Sequence, residues 1–136
     1  MQEQLISFET AKLAKEKGLE QHPTKLFYPY YNYKGEFKGD VKDYLKKYLN
    51  EEDATNFENV FAPTQSLLQK WLMEKYRIFI NINYDGNDEV FRVEIIKQNN
   101  DRSRKVFYLK EENIIMMFHS YEDALEISLQ EGLKLI

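Results

Sequence analysis

The stretch Ile78-Phe79-Ile80-Asn81-Ile82-Asn83-Tyr84 decides the fold of this chain, because large apolar side chains recur there at every second position. A period of two places those side chains on one face of a β-strand, directed at a core. The turn sequence Asp85-Gly86-Asn87-Asp88 follows, and residues 90–96 continue as a second apolar segment. The sequence therefore predicts an antiparallel β-hairpin over these residues.

Two more strands are predicted after this hairpin, over residues 105–109 and 114–118. Polar turn sequences precede them at residues 99–101 and 110–113. Short connections of this kind join neighbouring strands of an antiparallel sheet. The sequence thus predicts an antiparallel β-meander of three to four strands over residues 77–118.

Amphipathic helices are predicted on both sides of the meander. Thr64 and Ser120 are the N-cap candidates, since their hydroxyls can accept a hydrogen bond from the first helical turn. Apolar side chains follow each cap at helical spacing and are expected to face the sheet. They are Leu67, Leu68, Trp71 and Leu72 in the first helix, and Leu125, Leu129, Leu133 and Ile136 in the second.

The N-terminal third is predicted to be helical and aromatic. Ser7 and Gly18 mark the start and end of a short helix. Residues 26–37 are rich in aromatic side chains and predict a small hairpin, with Pro29 placing its first arm at an edge or in a loop. Asp40 is the candidate cap of another helix, whose apolar residues at helical spacing are Val41, Tyr44, Leu45, Tyr48 and Leu49.

These elements predict an α+β protein: an antiparallel β-meander of three to four strands packed against amphipathic helices, with an N-terminal helical and aromatic cap. A length of 136 residues favours one domain. We therefore expect a single domain over residues 1–136. Residues 1–60 would form the cap, and residues 61–136 the helix, the meander and the last helix.

The composition excludes several classes of protein. With 43% hydrophobic and 31% charged residues, the chain is typical neither of a disordered segment nor of a membrane protein. The absence of cysteine excludes a disulfide framework and a thiol nucleophile. The first residues lack a secretory pattern, and the longest apolar run, residues 114–118, is too short to cross a bilayer. We expect a cytoplasmic protein with no membrane contact.

Three segments together resemble a known family: residues 8–18, residues 62–72, and residues 120–126 with the ending Leu133-Lys134-Leu135-Ile136. They are similar to small uncharacterised proteins carried by phages, prophages and mobile elements of gut anaerobes. The segments lie at the start, middle and end, so the resemblance spans most of the chain. It implies a phage or mobile-element origin and the host-cell cytoplasm. It implies no activity, because the family has no catalytic motif to transfer.

Catalytic and metal-binding patterns are not found in the sequence. His22 and His119 are the only histidines, and their spacing fits no metal-ligand motif. His119 would pair with Glu122, one helical turn later, as a general base, but no nucleophile accompanies it. We therefore expect a non-enzymatic protein without a cofactor or a metal ion.

The aromatic segment is the leading candidate for a binding site. Tyrosine is enriched at protein interfaces, and the four tyrosines of this segment cannot all face one core. The alternative is that their rings cover one edge of the core and leave the hydroxyls in water. The leading hypothesis is an accessory protein that acts by protein binding or self-association. Its candidate contact residues are Tyr28, Tyr30, Tyr31 and Tyr33.

The alternative hypothesis is a nucleic-acid-binding module. Arg102, Arg104 and Lys105 form a compact basic segment between predicted strands. Cations beside exposed aromatic rings can bind phosphates and stacked bases. The net charge of −4 argues against this function, as do six acidic residues against one lysine over residues 111–136. The structural alternative for the basic segment is a solvated turn.

Overall fold

The structure of the protein, a computed structural model, describes residues 4–19, 30–31, 35–38 and 60–136. In these residues it contains helices and short antiparallel sheets, so the predicted α+β class is confirmed. They divide into two compact units, one made of Gln65–Ile136 together with Gln4, the other lying within Leu5–Thr64. The expectation of a single domain stays a prediction.

The helices and strands of the described residues follow one another in a simple order. They are α1 (Phe8–Glu16), β1 (Tyr30–Tyr31), β2 (Phe37–Lys38), β3 (Val60–Phe61), α2 (Gln65–Tyr76), β4 (Ile78–Asp85), β5 (Val90–Gln98), β6 (Arg104–Tyr108), β7 (Lys110–Glu111), β8 (Ile114–Ile115) and α3 (Tyr121–Lys134). Among these helices, none combines the length and the apolar composition that crossing a bilayer requires.

The larger unit is built on the three-stranded sheet β4-β5-β6, in which β5 is central and both neighbours are antiparallel to it. Ile80 lies opposite Ile95, and Ile95 lies opposite Phe107. The turn after β4 is held by the Asp85 carboxylate, which accepts a hydrogen bond of 3.0 Å from the Asn87 N–H. The turn sequence thus acts as predicted.

α2 and α3 pack against this sheet, as predicted for the helices after Thr64 and Ser120, and they also pack against each other. The contact is close at Gly132, where a Cβ atom would lie 3.3 Å from Leu72 Cδ1 and 3.5 Å from Ile78 Cγ2. The large fully buried side chains of this unit are Leu68, Leu72, Ile78, Ile95, Leu129 and Leu133.

The apolar stripe predicted for α2 is only partly right. The buried face of this helix contains Gln65, Leu68 and Leu72. Leu67 is 45% exposed, because it lies about 100° around the helix from Leu68 and points away from the sheet. Trp71 is half-buried at the border of the same face.

The last helix begins as predicted, with Ser120 as its N-cap. The Ser120 hydroxyl accepts a hydrogen bond of 3.1 Å from the Asp123 N–H. Gln65 joins α2 to this helix, since its Nε2 donates to the Glu126 carboxylate at 3.0 Å. Ile136 is exposed, so its assignment to the core stripe is wrong, because it lies beyond the helix end.

A full fourth strand over residues 114–118 does not form. β7 and β8 make a separate hairpin, and Glu112 and Asn113 between them have φ of 51° and 66°, as a two-residue type I′ turn requires. The chain rejoins the main sheet only at Phe118. Its N–H and C=O exchange hydrogen bonds of 2.9 and 2.7 Å with Phe91 of β5. The meander is therefore three-stranded, within the predicted three to four.

The smaller unit begins with α1, whose two ends were both predicted. The Ser7 hydroxyl accepts a hydrogen bond of 3.3 Å from the Thr10 N–H. Gly18 follows the helix with φ of 98°, a conformation that favours glycine. The helix predicted after Asp40 lies outside the described residues.

The predicted aromatic hairpin is present, because β1 and β2 pair antiparallel with Tyr31 opposite Phe37. β3 pairs with the other side of β1, which makes β1 the central strand. The expectation that Pro29 places this arm at an edge or in a loop is therefore wrong. β1 is described from Tyr30, and Pro29 itself lies outside the described residues.

Candidate interaction surface

β6 is an edge strand with an exposed surface. It pairs with β5 on one side, and no described residue pairs with its other side. Val106 is 44% exposed and Tyr108 is 53% exposed, and Arg104 and Lys105 are exposed as well. An unpaired edge with apolar side chains is a template for another strand.

The side chains of β6 alternate between the two faces of the sheet. Phe107 lies opposite the buried Ile95 and shares the face that the helices cover. On the opposite face, Val106 lies opposite Ile96, and Ile96 lies opposite Phe79 of β4. We call these three residues, Phe79, Ile96 and Val106, the apolar row.

The backbone groups of β6 also alternate, and half of them point away from the sheet. In an antiparallel ladder, successive residues direct their N–H and C=O to opposite edges. Phe91 bonds with Phe118, and the Asn99 N–H donates across the β5–β6 turn, so odd-numbered residues of β5 point toward β6. Their partners Lys105 and Phe107 point back. The residues whose backbone groups face the free edge are therefore Arg104, Val106 and Tyr108.

The predicted basic segment lies at one end of the sheet, but its side chains do not converge. Arg102 is in the turn, with φ of 69°. Arg104 and Lys105 are neighbours in the strand and point to opposite faces. The Lys105 Nζ lies 5.2 Å from the ring centroid of Phe107 on the same face, within the range of a cation–π contact.

The register brings one further cation to this end of the sheet. The Arg77 carbonyl accepts a hydrogen bond of 3.0 Å from the Gln98 N–H, and Gln98 lies opposite Arg104. The neighbouring carboxylate of Asp101 accepts hydrogen bonds from the Ser103 hydroxyl at 2.6 Å and from its N–H at 2.9 Å. These bonds hold the pKa of Asp101 below its ordinary value and fix the turn.

Among the four candidate tyrosines, the structure describes the side chain of Tyr31 alone. Its hydroxyl donates to the Ile6 carbonyl at 2.9 Å. Its ring centroid lies 5.5 Å from that of Phe8 and 5.6 Å from that of Phe37. The Tyr31 ring thus packs against aromatic neighbours and its hydroxyl bonds to the backbone, so the choice between core cover and partner contact stays open for this segment. Tyr28, Tyr33 and the side chain of Tyr30 lie outside the described residues. The role of these three tyrosines as protein contacts stays a prediction.

His119 is exposed and precedes α3, so the helical spacing assumed for its pairing with Glu122 does not apply. His22 lies outside the described residues. Within the described ranges, no three His, Asp or Glu side chains are close enough together to hold a metal ion.

The sequence patterns did not predict the apolar row or the outward position of Val106 and Tyr108. The available signal is the alternation of residues 104, 106 and 108, which places Arg, Val and Tyr on one face. That signal becomes a surface only when β6 is known to be an edge strand. The register of three strands then identifies Phe79 and Ile96 as its neighbours.

Comparison with protein-family models, with curated protein sequences and with solved structures gives no match to this chain. The origin in a phage or mobile element accordingly stays a prediction. The edge of β6 offers backbone hydrogen bonds, apolar contact and positive charge.

Proposed function

We propose that this chain is a cytoplasmic, non-enzymatic protein that acts by binding protein at the free edge of β6. The observation that carries the proposal is the exposed strand Arg104–Tyr108, whose outward backbone groups have no partner among the described residues. An extended segment can add to such an edge as a further strand, with main-chain bonds for affinity and alternate side chains for specificity. Protein binding or self-association is also the leading function expected from the sequence. The site proposed here is the sheet edge, whereas the sequence favoured the aromatic segment.

The side chains of β6 support binding, because charged residues block only half of this edge against pairing with another strand. Native proteins commonly block free strands with charged residues, lysine above all. Here Arg104 and Lys105 occupy the first half, whereas Val106 and Tyr108 leave the second half exposed and apolar. Aromatic rings and arginine are also the groups that are enriched at protein interfaces.

Val106→Pro is expected to abolish binding at this edge without unfolding the protein. The Val106 N–H faces outward, so proline removes no bond of the β5–β6 ladder, and edge strands tolerate it. The measurement is a selection of displayed random peptides on the immobilised native protein. Titration of the selected peptides against both proteins follows, with light scattering for self-association. We expect affinity for Val106→Pro to fall at least about tenfold.

Val106→Ala is the matched control, since it shortens the same side chain and keeps the N–H. Its affinity should fall less than that of Val106→Pro, because it loses apolar contact but keeps the outward N–H, and circular dichroism should show both variants folded. If the native protein selects no peptides and does not self-associate, or if Val106→Pro binds as well as native, the proposed function is wrong.

Nucleic-acid binding is the second candidate. The observation in its favour is that the strand register brings Arg77 to the end of the sheet that holds the basic segment. Arg77 and Arg104 flank Gln98 across the sheet, with Lys105 and Arg102 nearby. If this surface binds phosphates, gel shifts with single- and double-stranded DNA and RNA should show binding that weakens with salt.

The double variant Arg104→Ala/Lys105→Ala tests the second candidate. It should reduce nucleic-acid affinity about tenfold or more at low salt, because it removes two cations from this end of the sheet. Lys70→Ala/Lys134→Ala is the matched control: it removes two charges from helix surfaces, where both lysines pair with glutamates. Equal loss in both variants would indicate a general charge effect and no site at β6.

A further inference from the structure

We propose that the partner of the β6 edge is a second copy of this chain, which adds its own β6 antiparallel about a two-fold axis at Val106. The inference rests on the proposed function, because it names the partner of the same edge. Two copies would then form one six-stranded sheet from their three-stranded sheets. A two-fold interface uses the same surface on both copies, so it requires a self-complementary strand.

The strand Arg104-Lys105-Val106-Phe107-Tyr108 is self-complementary in this way. Its first half is cationic, its second half is aromatic, and valine lies at the centre. Antiparallel pairing about Val106 places Arg104 opposite Tyr108 of the second copy, on one face. It places Lys105 opposite Phe107 of the second copy, on the other face. A cation and the face of an aromatic ring attract each other. Lys105 already lies near the Phe107 ring of its own chain.

The two neighbouring antiparallel registers and the parallel pairing oppose like charges, which destabilises neighbouring strands. An axis at Lys105 would place two lysines opposite each other, and an axis at Phe107 would place Arg104 opposite Lys110. Parallel pairing would set the two cationic halves side by side. The axis at Val106 avoids all of these contacts and pairs the whole strand.

The backbone satisfies the same register. Arg104, Val106 and Tyr108 direct their N–H and C=O to the free edge. With the axis at Val106, these outward residues meet outward residues of the second copy and exchange about six hydrogen bonds. Ladder bonds to β5 are left intact.

The apolar row gives an independent reason for this axis. Phe79, Ile96 and Val106 lie in line across the three strands. An axis at Val106 joins the two valines and continues the row through the second copy. A shift by one residue would break this line, since the side chain at the interface would lie on the other face.

Single cysteines test the register directly, because the chain has no cysteine of its own. In Val106→Cys the paired Cα atoms would be about 5.5 Å apart, within disulfide reach. In Arg104→Cys alone, the two thiols would be about 13 Å apart along the strand. We expect mild oxidation to cross-link Val106→Cys, but not Arg104→Cys or Tyr108→Cys alone. A mixture of Arg104→Cys and Tyr108→Cys should cross-link as a heterodimer.

Light scattering over a range of concentrations completes the test. The native protein should approach twice the monomer mass, whereas folded Val106→Pro should stay monomeric. Cross-linking of Arg104→Cys as efficiently as Val106→Cys, or a dimer that persists in Val106→Pro, would overturn the proposed pairing. A native monomer that binds selected peptides in a proline-sensitive manner would overturn the self-pairing and leave the proposed function standing. A native monomer that selects no peptides would overturn both.

Discussion

Replacing Leu72 with alanine is expected to lower the free energy of unfolding by about 3–5 kcal/mol. Leu72 is fully buried in the face of α2 that packs on the sheet and on α3. Its removal leaves a cavity beside Gly132, which has no side chain to fill it. The measurement is chemical denaturation of both proteins. Met73→Ala, one position along the helix and 40% exposed, is the control and should cost less than about 0.5 kcal/mol.

The same site offers a double-mutant cycle with Gly132→Ala. In the native protein the new methyl group would lie 3.3 Å from Leu72 Cδ1, so crowding opposes the gain of about 1 kcal/mol in helix propensity. In the Leu72→Ala background this crowding is absent. We therefore expect Gly132→Ala to be more favourable there by at least about 0.5 kcal/mol. Additive effects would mean that the two positions do not share this space.

Most of the larger unit could be predicted from its local patterns. The alternation over residues 78–84 gives a strand because one face is buried, and the turn at Asp85 fixes its partner. Ser120 identifies the start of α3 because a hydroxyl there satisfies a free N–H. These signals act within a few residues, so one sequence is enough to read them.

The path after β6 could not be predicted, because a continuous apolar run does not say which face it buries. Residues 114–118 have the composition of a strand, yet only Phe118 joins the main sheet. The sharp turn at Glu112 and Asn113 closes a separate small hairpin first. Whether such a segment pairs with the sheet or with itself depends on tertiary contacts.

The candidate surface was predictable only in part. Arg104 and Lys105 are visible as a charge cluster, but their opposite directions follow from strand geometry. Arg77, Phe79 and Ile96 join them through register alone, across more than one strand. Register depends on how all three strands meet the helices, and no local motif of this sequence encodes it.

Phe118→Ala is expected to cost about 3–4 kcal/mol of unfolding free energy and to loosen the segment before it. Phe118 is 8% exposed, and its backbone is the point where the chain returns to β5. Without the ring, the two bonds to Phe91 lose the burial that keeps water away from them. Hydrogen exchange should therefore speed up at the Met116 N–H, which bonds to the Leu109 carbonyl at the base of the small hairpin.

Met117→Ala is the matched control for this anchor, because Met117 precedes Phe118 directly and is 51% exposed. It should change stability by less than about 0.5 kcal/mol and leave the exchange of Met116 as it is. A cost below about 1 kcal/mol for Phe118→Ala would show that the backbone pairing holds without the ring.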